Sequence, residues 1–377
     1  MRHLYDVIII GGGPVGLYTA KKLAQKGFKI CVIERKTRVG EGVLCTGLIS
    51  KEGFERFSLP VESILTQIKS FAFNSPKGQR LEYSYSAPFA FVVNREIFDY
   101  KLFESAIKDG VEYKLGVMVR SIDKDGRFYA IYGNDRKWWA RSVVIATGNN
   151  YRLQKNLGLG KPPGFLYGLQ VELPVNVDET NIEIYLGKDY APGSFAWVVP
   201  VNHRDARIGT ILNDADSEYL KRFIKEKFDS VDMELERNRI NSKPIAYGPI
   251  KKSVQDRIIV VGEAAGQVKT TTGGGIFTGL LCADIAINYL EQALKKNRPL
   301  DGYEVEWRSA LSGEFEVGKK IRRIASSIND RTLEHLFSFV KHNRFWVDLL
   351  IPKINFDYHS DFLLYCLKSF IPLLKIS

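Results

Sequence analysis

Three glycines at fixed spacing are the first residues of this chain that could do chemistry. Residues 8–16 read Ile-Ile-Ile-Gly-Gly-Gly-Pro-Val-Gly, which puts Gly11, Gly13 and Gly16 in G-x-G-x-x-G register. Such a loop suits a pyrophosphate. The first glycine permits a tight turn, the second lets the backbone approach the phosphates, and the third lets a helix pack closely on a strand, while the helix N-terminus adds amide donors and a positive dipole. Glu34 follows at about the 20-residue offset where a carboxylate meets the ribose hydroxyls of a bound dinucleotide. Arg35, next to it, would also suit a ribose 2′-phosphate and hence NADP. A second set of residues lies some 250 positions later in the chain. Residues 257–266 (Arg-Ile-Ile-Val-Val-Gly-Glu-Ala-Ala-Gly) form an apolar run into a small-residue turn, and residues 272–276 read Thr-Gly-Gly-Gly-Ile. Glu263 would accept hydrogen bonds from the ribityl hydroxyls of a flavin, and the amides of the triple glycine would face the ring's pyrimidine edge. Arg95 suits a flavin phosphate or the ribityl chain; the lesser alternative is a solvated first-turn arginine.

These residues need particular elements to hold them. The glycine loop sits between a β-rich run at 5–10 and a helical pattern at 17–26, and a second strand at 28–33 ends in Glu34. A third apolar strand, 142–146, runs into Ala-Thr-Gly and places Gly148. The triple glycine opens a helix expected to continue through residue 290, and Arg95 precedes a helix to residue 108. Residues 68–91 and 165–211 alternate in the manner of strands and are rich in Tyr, Phe, Val and Ile, with Pro-Gly turns at 163–164 and 192–193. They predict an antiparallel sheet domain inserted into the cofactor domain, because cofactor-binding pieces lie on both sides of it. From residue 301 onward the pattern is helical.

Composition narrows the function class. The 377 residues are 45% hydrophobic and 26% charged, which excludes a disordered or collagenous chain. The four cysteines, Cys31, Cys45, Cys282 and Cys366, and the five histidines lack the spacing of a disulfide framework or a zinc site, so no metal is expected. The net charge of +11 allows a polyanionic cofactor, an anionic membrane surface or nucleic acid. Nucleic acid is disfavoured, because the basic residues are dispersed and no recognised module is visible. No secretory leader precedes residue 5, and the most apolar late stretch, 362–374, is broken by Lys368 and Pro372 and is too short to span a bilayer. A cytoplasmic protein is expected.

In this order the motifs resemble the FAD-dependent flavoproteins of the para-hydroxybenzoate hydroxylase type, and within them the geranylgeranyl reductase family, over residues 3–325. Three features carry the resemblance. Residues 45–50 (Cys-Thr-Gly-Leu-Ile-Ser) are similar to its cysteine-and-glycine segment, residues 261–276 follow its flavin signature, and residues 195–200 with 209–211 look like its substrate motif. The chain departs from the pattern at Glu263 in place of aspartate, Thr270 in place of proline, Ile211 in place of the motif's last glycine, and Gly148-Asn149-Asn150 in place of an Asp-Gly pair.

The resemblance implies FAD as cofactor, with contacts at Pro14, Cys45, Thr46, Gly47, Val119, Gly274, Gly275 and Ile276 besides the residues already named. It implies substrate contacts at Phe195, Trp197, Pro200 and Gly209. Cys45 would pass beside the flavin ring as the catalytic residue; otherwise it is a small buried hydrophobe. The expected fold is α/β plus antiparallel β: a Rossmann-like FAD-binding domain (1–63, 95–150, 250–315), an inserted β-sheet substrate domain (64–94, 151–249) and a C-terminal helical region (316–377). The implied activity is saturation of carbon-carbon double bonds in a geranylgeranyl chain for membrane-lipid synthesis. The implied partners are an isoprenoid lipid substrate and an electron donor, ferredoxin or NAD(P)H. The aromatic runs 345–352 and 362–374, with Lys319, Lys320, Arg322 and Arg323, are read either as a core cap or as a peripheral contact with the inner face of the cell membrane. A monooxygenase or halogenase is the competing enzyme class, since the aromatic-x-Trp-x-x-Pro segment also resembles flavin-dependent halogenases. A flavin-bearing electron carrier is the non-enzymatic alternative.

Overall fold

The computed structural model describes residues 4–228, 238–343, 345 and 355–360. Among these residues the strands form three sheets. An eight-stranded sheet has a parallel centre, in the order Ile258–Val260, Arg136–Ile145, Leu4–Ile10, Ile30–Ile33, Glu112–Lys114. Val254–Gln255 closes one edge antiparallel, and the hairpin of Val119–Asp125 and Phe128–Gly133 folds back on Arg136–Ile145. Val7, Ile8, Ile9 and Ile10 are all at most 4% exposed. A run apolar on successive residues marks a strand covered on both faces, as parallel strands are. One face packs under the helices Pro14–Gln25, Arg95–Lys108 and Ile276–Lys296, whose apolar stripes share one core with Val7, Ile9, Val32 and Val144.

The second sheet has seven strands in the order Asn241–Ala246, Phe165–Pro174, Asp205–Leu212, Ala196–Pro200, Asn181–Tyr185, Ser70–Asn74, Arg80–Ser84. All its pairings are antiparallel except that of Asn181–Tyr185 with Ser70–Asn74. A third sheet of Leu48–Ser50, Ala90–Val93 and Ile64–Ile68 comes from stretches on either side of Ser70–Asn74 and Arg80–Ser84. The α/β plus antiparallel β architecture expected from the motifs is the one observed.

Several bounds differ from expectation. The helix after the triple glycine runs on to Lys296, where Asn297 in a left-handed conformation (φ 53°) ends it. Leu294 is buried and Lys295 pairs with Glu291, so the last turns are held in place. A single helix, Asp301–Ser327, passes through the 315/316 boundary without a break. No helix of the described residues is long and apolar enough to cross a membrane. The aromatic runs 345–352 and 362–374 lie outside the described residues, apart from Phe345.

Candidate functional site

The glycine loop follows directly from the strand before it. Leu4–Ile10 ends, Gly11 N–H bonds Ile33 O at 2.9 Å, and the chain turns into the Pro14–Gln25 helix. Gly11 has φ +111°, and a Cβ there would lie 2.3 Å from Ala146 O; at Gly16 it would lie 2.1 Å from Gly11 O. The protein's own packing therefore requires both glycines. Gly13 is different, because a Cβ there would meet no protein atom within 4 Å. Gly13 is the N-cap, no side chain caps the helix, and Pro14 at its first position has no N–H to satisfy. Bare helix amides beside an open approach form a cradle for a phosphate.

Glu34 closes the loop from the next strand. Its Oε2 accepts Gly12 N–H at 2.7 Å and its Oε1 accepts Lys36 N–H at 2.9 Å. A carboxylate has about four lone-pair sites, so capacity for ribose hydroxyls remains. Sequence reasoning missed Gly12, where a Cβ would fall 1.6 Å from the Tyr113 hydroxyl oxygen.

A cleft of ≈ 500 Å³ opens from this loop. It is lined by Gly11, Gly13, Pro14, Glu34, Arg35, Arg95, Val119, Gly148 and Glu263 of the expected cofactor residues, and by Lys36, Arg38, Asp99, Arg152 and Lys243, which were not foreseen. Cys45, Thr46, Gly47, Gly274, Gly275 and Ile276 do not line it. Glu263 Oε2 accepts from Lys243 Nζ at 2.7 Å. Lys243 comes from the edge strand Asn241–Ala246 of the other sheet, so the pair bridges the two. Nothing in the sequence around Lys243 signals that partnership.

Arg95 begins the Arg95–Lys108 helix, capped by Asn94 Oδ1, which accepts from Glu96 N and Ile97 N. Its guanidinium pairs with Asp99 at 2.9 Å, with both side chains almost fully buried. Cys45 lies beside it. Burial pushes the thiol up, but Arg95, the Gly47 amide and Lys243 together outweigh burial and hold it below the ordinary thiol range. Cys45 Sγ accepts Gly47 N–H at 3.3 Å. Arg207 anchors this segment by donating to Thr46 O at 2.7 Å and Val93 O at 3.0 Å, with Glu172 as its counter-charge.

Gly274 and Gly275 lie on a loop closed by Lys269 N–H to Gly274 O and Gly273 N–H to Lys269 O, both 2.9 Å, and Ile276 opens the following helix. That loop touches a buried apolar cluster. A Cβ on Gly273 would lie 2.9 Å from Ile245 Cδ1 and 3.7 Å from Ile211 Cδ1. Ile211 and Ile245 cluster with Trp197, Phe195, Tyr247, Phe89 and Phe356. The Phe195 and Trp197 ring centroids are 6.0 Å apart. Gly209 is opposite Trp197 in register, and a Cβ there would collide with the indole at 2.3 Å, so the glycine makes room for the ring. Trp197 Nε1 is buried with no hydrogen-bond partner among the described residues. Pro200 is buried at the end of the same strand, and its carbonyl accepts from Thr66 Oγ1 at 3.1 Å.

Comparison with known proteins agrees with this geometry. Residues 5–162 match the pyridine nucleotide-disulphide oxidoreductase family, and residues 168–239 match the geranylgeranyl reductase catalytic domain. A digeranylgeranylglycerophospholipid reductase of Methanocaldococcus jannaschii is 28% identical across 93% of this chain and 94% of its own length. A second, from Methanothermobacter thermautotrophicus, is 29% identical across 88% and 90%. A geranylgeranyl bacteriochlorophyll reductase-like protein of Thermoplasma acidophilum superposes with a TM-score of 0.82 at 22% identity, covering 90% of this chain and 92% of that one. The halogenase PltM shares the fold at a TM-score of 0.67 and 17% identity, covering 90% of this chain and 83% of its own. The open cradle at Gly13, the uncapped helix and the two carboxylates fit FAD, and the chain is an FAD-dependent oxidoreductase similar over most of its length to geranylgeranyl reductases.

Proposed function

We propose that this protein saturates the carbon-carbon double bonds of geranylgeranyl chains carried by membrane lipids. The observation that carries this reading is the buried, aromatic-rich apolar cluster packed against the Gly273 loop. An isolated alkene has no polar handle, so a site that reduces it must hold it by apolar contact and exclude water. Trp197, Phe195, Ile211 and Ile245 suit both tasks. The names of the relatives in two methanogens favour a digeranylgeranylglycerophospholipid as the substrate class.

Gly13, the helix amides after it, Glu34 and Glu263 would hold FAD, with Gly274 and Gly275 against the ring. Bound FAD would supply the hydride. The protein must then deliver a proton to the second alkene carbon, and Cys45 is our candidate to hold it. Its thiol, depressed by Arg95, the Gly47 amide and Lys243 against the effect of burial, gives up a proton more readily than an ordinary cysteine. Ferredoxin or NAD(P)H would supply electrons to the flavin. Peripheral membrane contact would let the chain enter; exposed Leu336 and Phe339 on the Asp330–His342 helix, with exposed Lys320 and Arg323 nearby in sequence, support it.

The experiment is anaerobic incubation of chemically reduced holoenzyme with geranylgeranylated lipid. The lipid should gain one H2 per bond saturated while the flavin reoxidises. Turnover that instead requires oxygen would place the protein with the monooxygenases and halogenases that share its fold.

A further inference from the structure

Most of the buried cations described in this protein have a carboxylate. Arg95 has Asp99, Arg207 has Glu172 and Lys269 has Asp357. Arg322, 8% exposed on the Asp301–Ser327 helix, pairs with no carboxylate among the described residues. Its Nη1 donates to Thr271 O at 3.1 Å and its Nη2 to Ser194 Oγ at 3.4 Å. A guanidinium has five N–H donors, and two of them have acceptors among the described residues. An isolated buried charge is costly unless something compensates it. Burial duly pushes Arg322 below the usual arginine range.

Its position suggests what the compensation is. Gly318, one turn back, brings the helix against the flavin loop so closely that a Cβ would lie 2.0 Å from Thr270 Oγ1. From there Arg322 reaches the backbone of that loop on one side and Ser194 on the other. Ser194 immediately precedes Phe195 and is three residues before Trp197, both of the apolar cluster. A cation without a carboxylate partner beside an apolar cluster suits a molecule with an anionic head and an apolar tail.

We propose that Arg322 is the anchor for a phosphate group at the head of the isoprenoid substrate, with Ser194 beside it and the chain running from there past Phe195 and Trp197. The proposal rests on the isoprenoid reading above and adds to it the residue that sets the register of the chain. With its head fixed at Arg322, the chain can present only the double bonds at the matching distance to the Gly273 loop. The phosphate could be the diphosphate of a free prenyl chain or the phosphodiester of a glycerolipid, since both offer the same oxyanions to the guanidinium.

Binding to FAD-loaded enzyme tests this, with inorganic pyrophosphate, geranylgeranyl diphosphate, a digeranylgeranylglycerophospholipid and uncharged geranylgeraniol as probes. Arg322→Met should weaken at least one phosphate-bearing probe by about tenfold or more and leave geranylgeraniol within about twofold, with Arg322→Lys recovering part of the loss. The phosphate probe that loses more identifies the head group. Equal losses for charged and neutral probes, or unchanged phosphate binding, would overturn the site. Should Arg322→Met not retain FAD, competition on the unaltered enzyme decides: pyrophosphate must displace geranylgeranyl diphosphate and not geranylgeraniol, and its failure to do so overturns the anchor. Arg322-dependent pyrophosphate binding in an enzyme that saturates no isoprenoid bond would sink the substrate reading and leave the anion site standing.

Discussion

Gly13 separates what the fold needs from what the cofactor needs. Because a Cβ there meets no protein atom within 4 Å, Gly13→Val should fold with the thermal stability of the unaltered apoprotein. It should purify colourless, because the new side chain occupies the approach to the helix amides. Flavin absorbance and a melting curve read both outcomes, and full FAD retention would remove the phosphate assignment. Cys45→Ala makes the complementary prediction. It should keep FAD, since Cys45 does not line the pyrophosphate cleft, and should lower the rate of bond saturation or change the number of bonds saturated. Product masses at equal flavin loading decide it; unaltered turnover would return Cys45 to a packing role. Gly11, Gly13, Gly16, Glu34 and Glu263 were legible in the sequence because each belongs to a run of neighbours that position one another. The Lys243–Glu263 pair and the Arg322 contacts to Thr271 and Ser194 were not legible, since they join segments distant in the chain.

The segment Asn355–Ser360 shows how far an element's role depends on its partners. Glu314 accepts His359 N–H at 2.8 Å and Ser360 N–H at 2.9 Å, and Asp357 meets Lys269 at 3.2 Å with both side chains nearly inaccessible. His359 Nδ1 is 2.7 Å from Thr271 Oγ1, and Tyr358 packs edge-on against Phe277. The strap thus fastens the Lys269–Gly275 loop from outside. Burial, and after it Lys269, lowers the His359 pKa to about 4 from an ordinary 6.5. The unfolded strap therefore binds a proton that the docked strap does not, so docking is at full strength above pH 6.5 and weakens as pH falls toward 4. Protection factors across 355–360, with the intrinsic pH dependence of exchange divided out, should fall over that window in the unaltered protein and not in His359→Gln; an equal pH response in both would exclude His359 as the cause. Local periodicity was enough to read the central strands and their helices and the antiparallel sheet. It did not reveal the three-stranded sheet of Leu48–Ser50, Ala90–Val93 and Ile64–Ile68 or the strap, whose partners lie far away in sequence.

On the scale of the whole molecule, the cleft is assembled from stretches between residues 10 and 263 and completed by Lys243 from the second sheet. The Lys243–Glu263 pair is about a third exposed at the lysine. A pair so placed contributes about 1 kcal/mol at most to the apoprotein, so Lys243→Met should barely move its melting temperature. FAD binding is another matter. The pair occupies Glu263 Oε2 and leaves Oε1 without a hydrogen bond among the described residues, which orients the longer carboxylate with one oxygen for the ribityl chain. A ligand that binds only the folded state stabilises it by about 2.7 kcal/mol at one hundred times its dissociation constant. At one fixed FAD concentration, Lys243→Met should therefore lose a substantial part of the FAD-dependent rise in melting temperature while its apoprotein melts as before. Lys243→Arg, which keeps the charge, should lose less. If FAD raises the melting temperature of Lys243→Met as much as that of the unaltered protein, the bridge between the two sheets has no part in holding the cofactor.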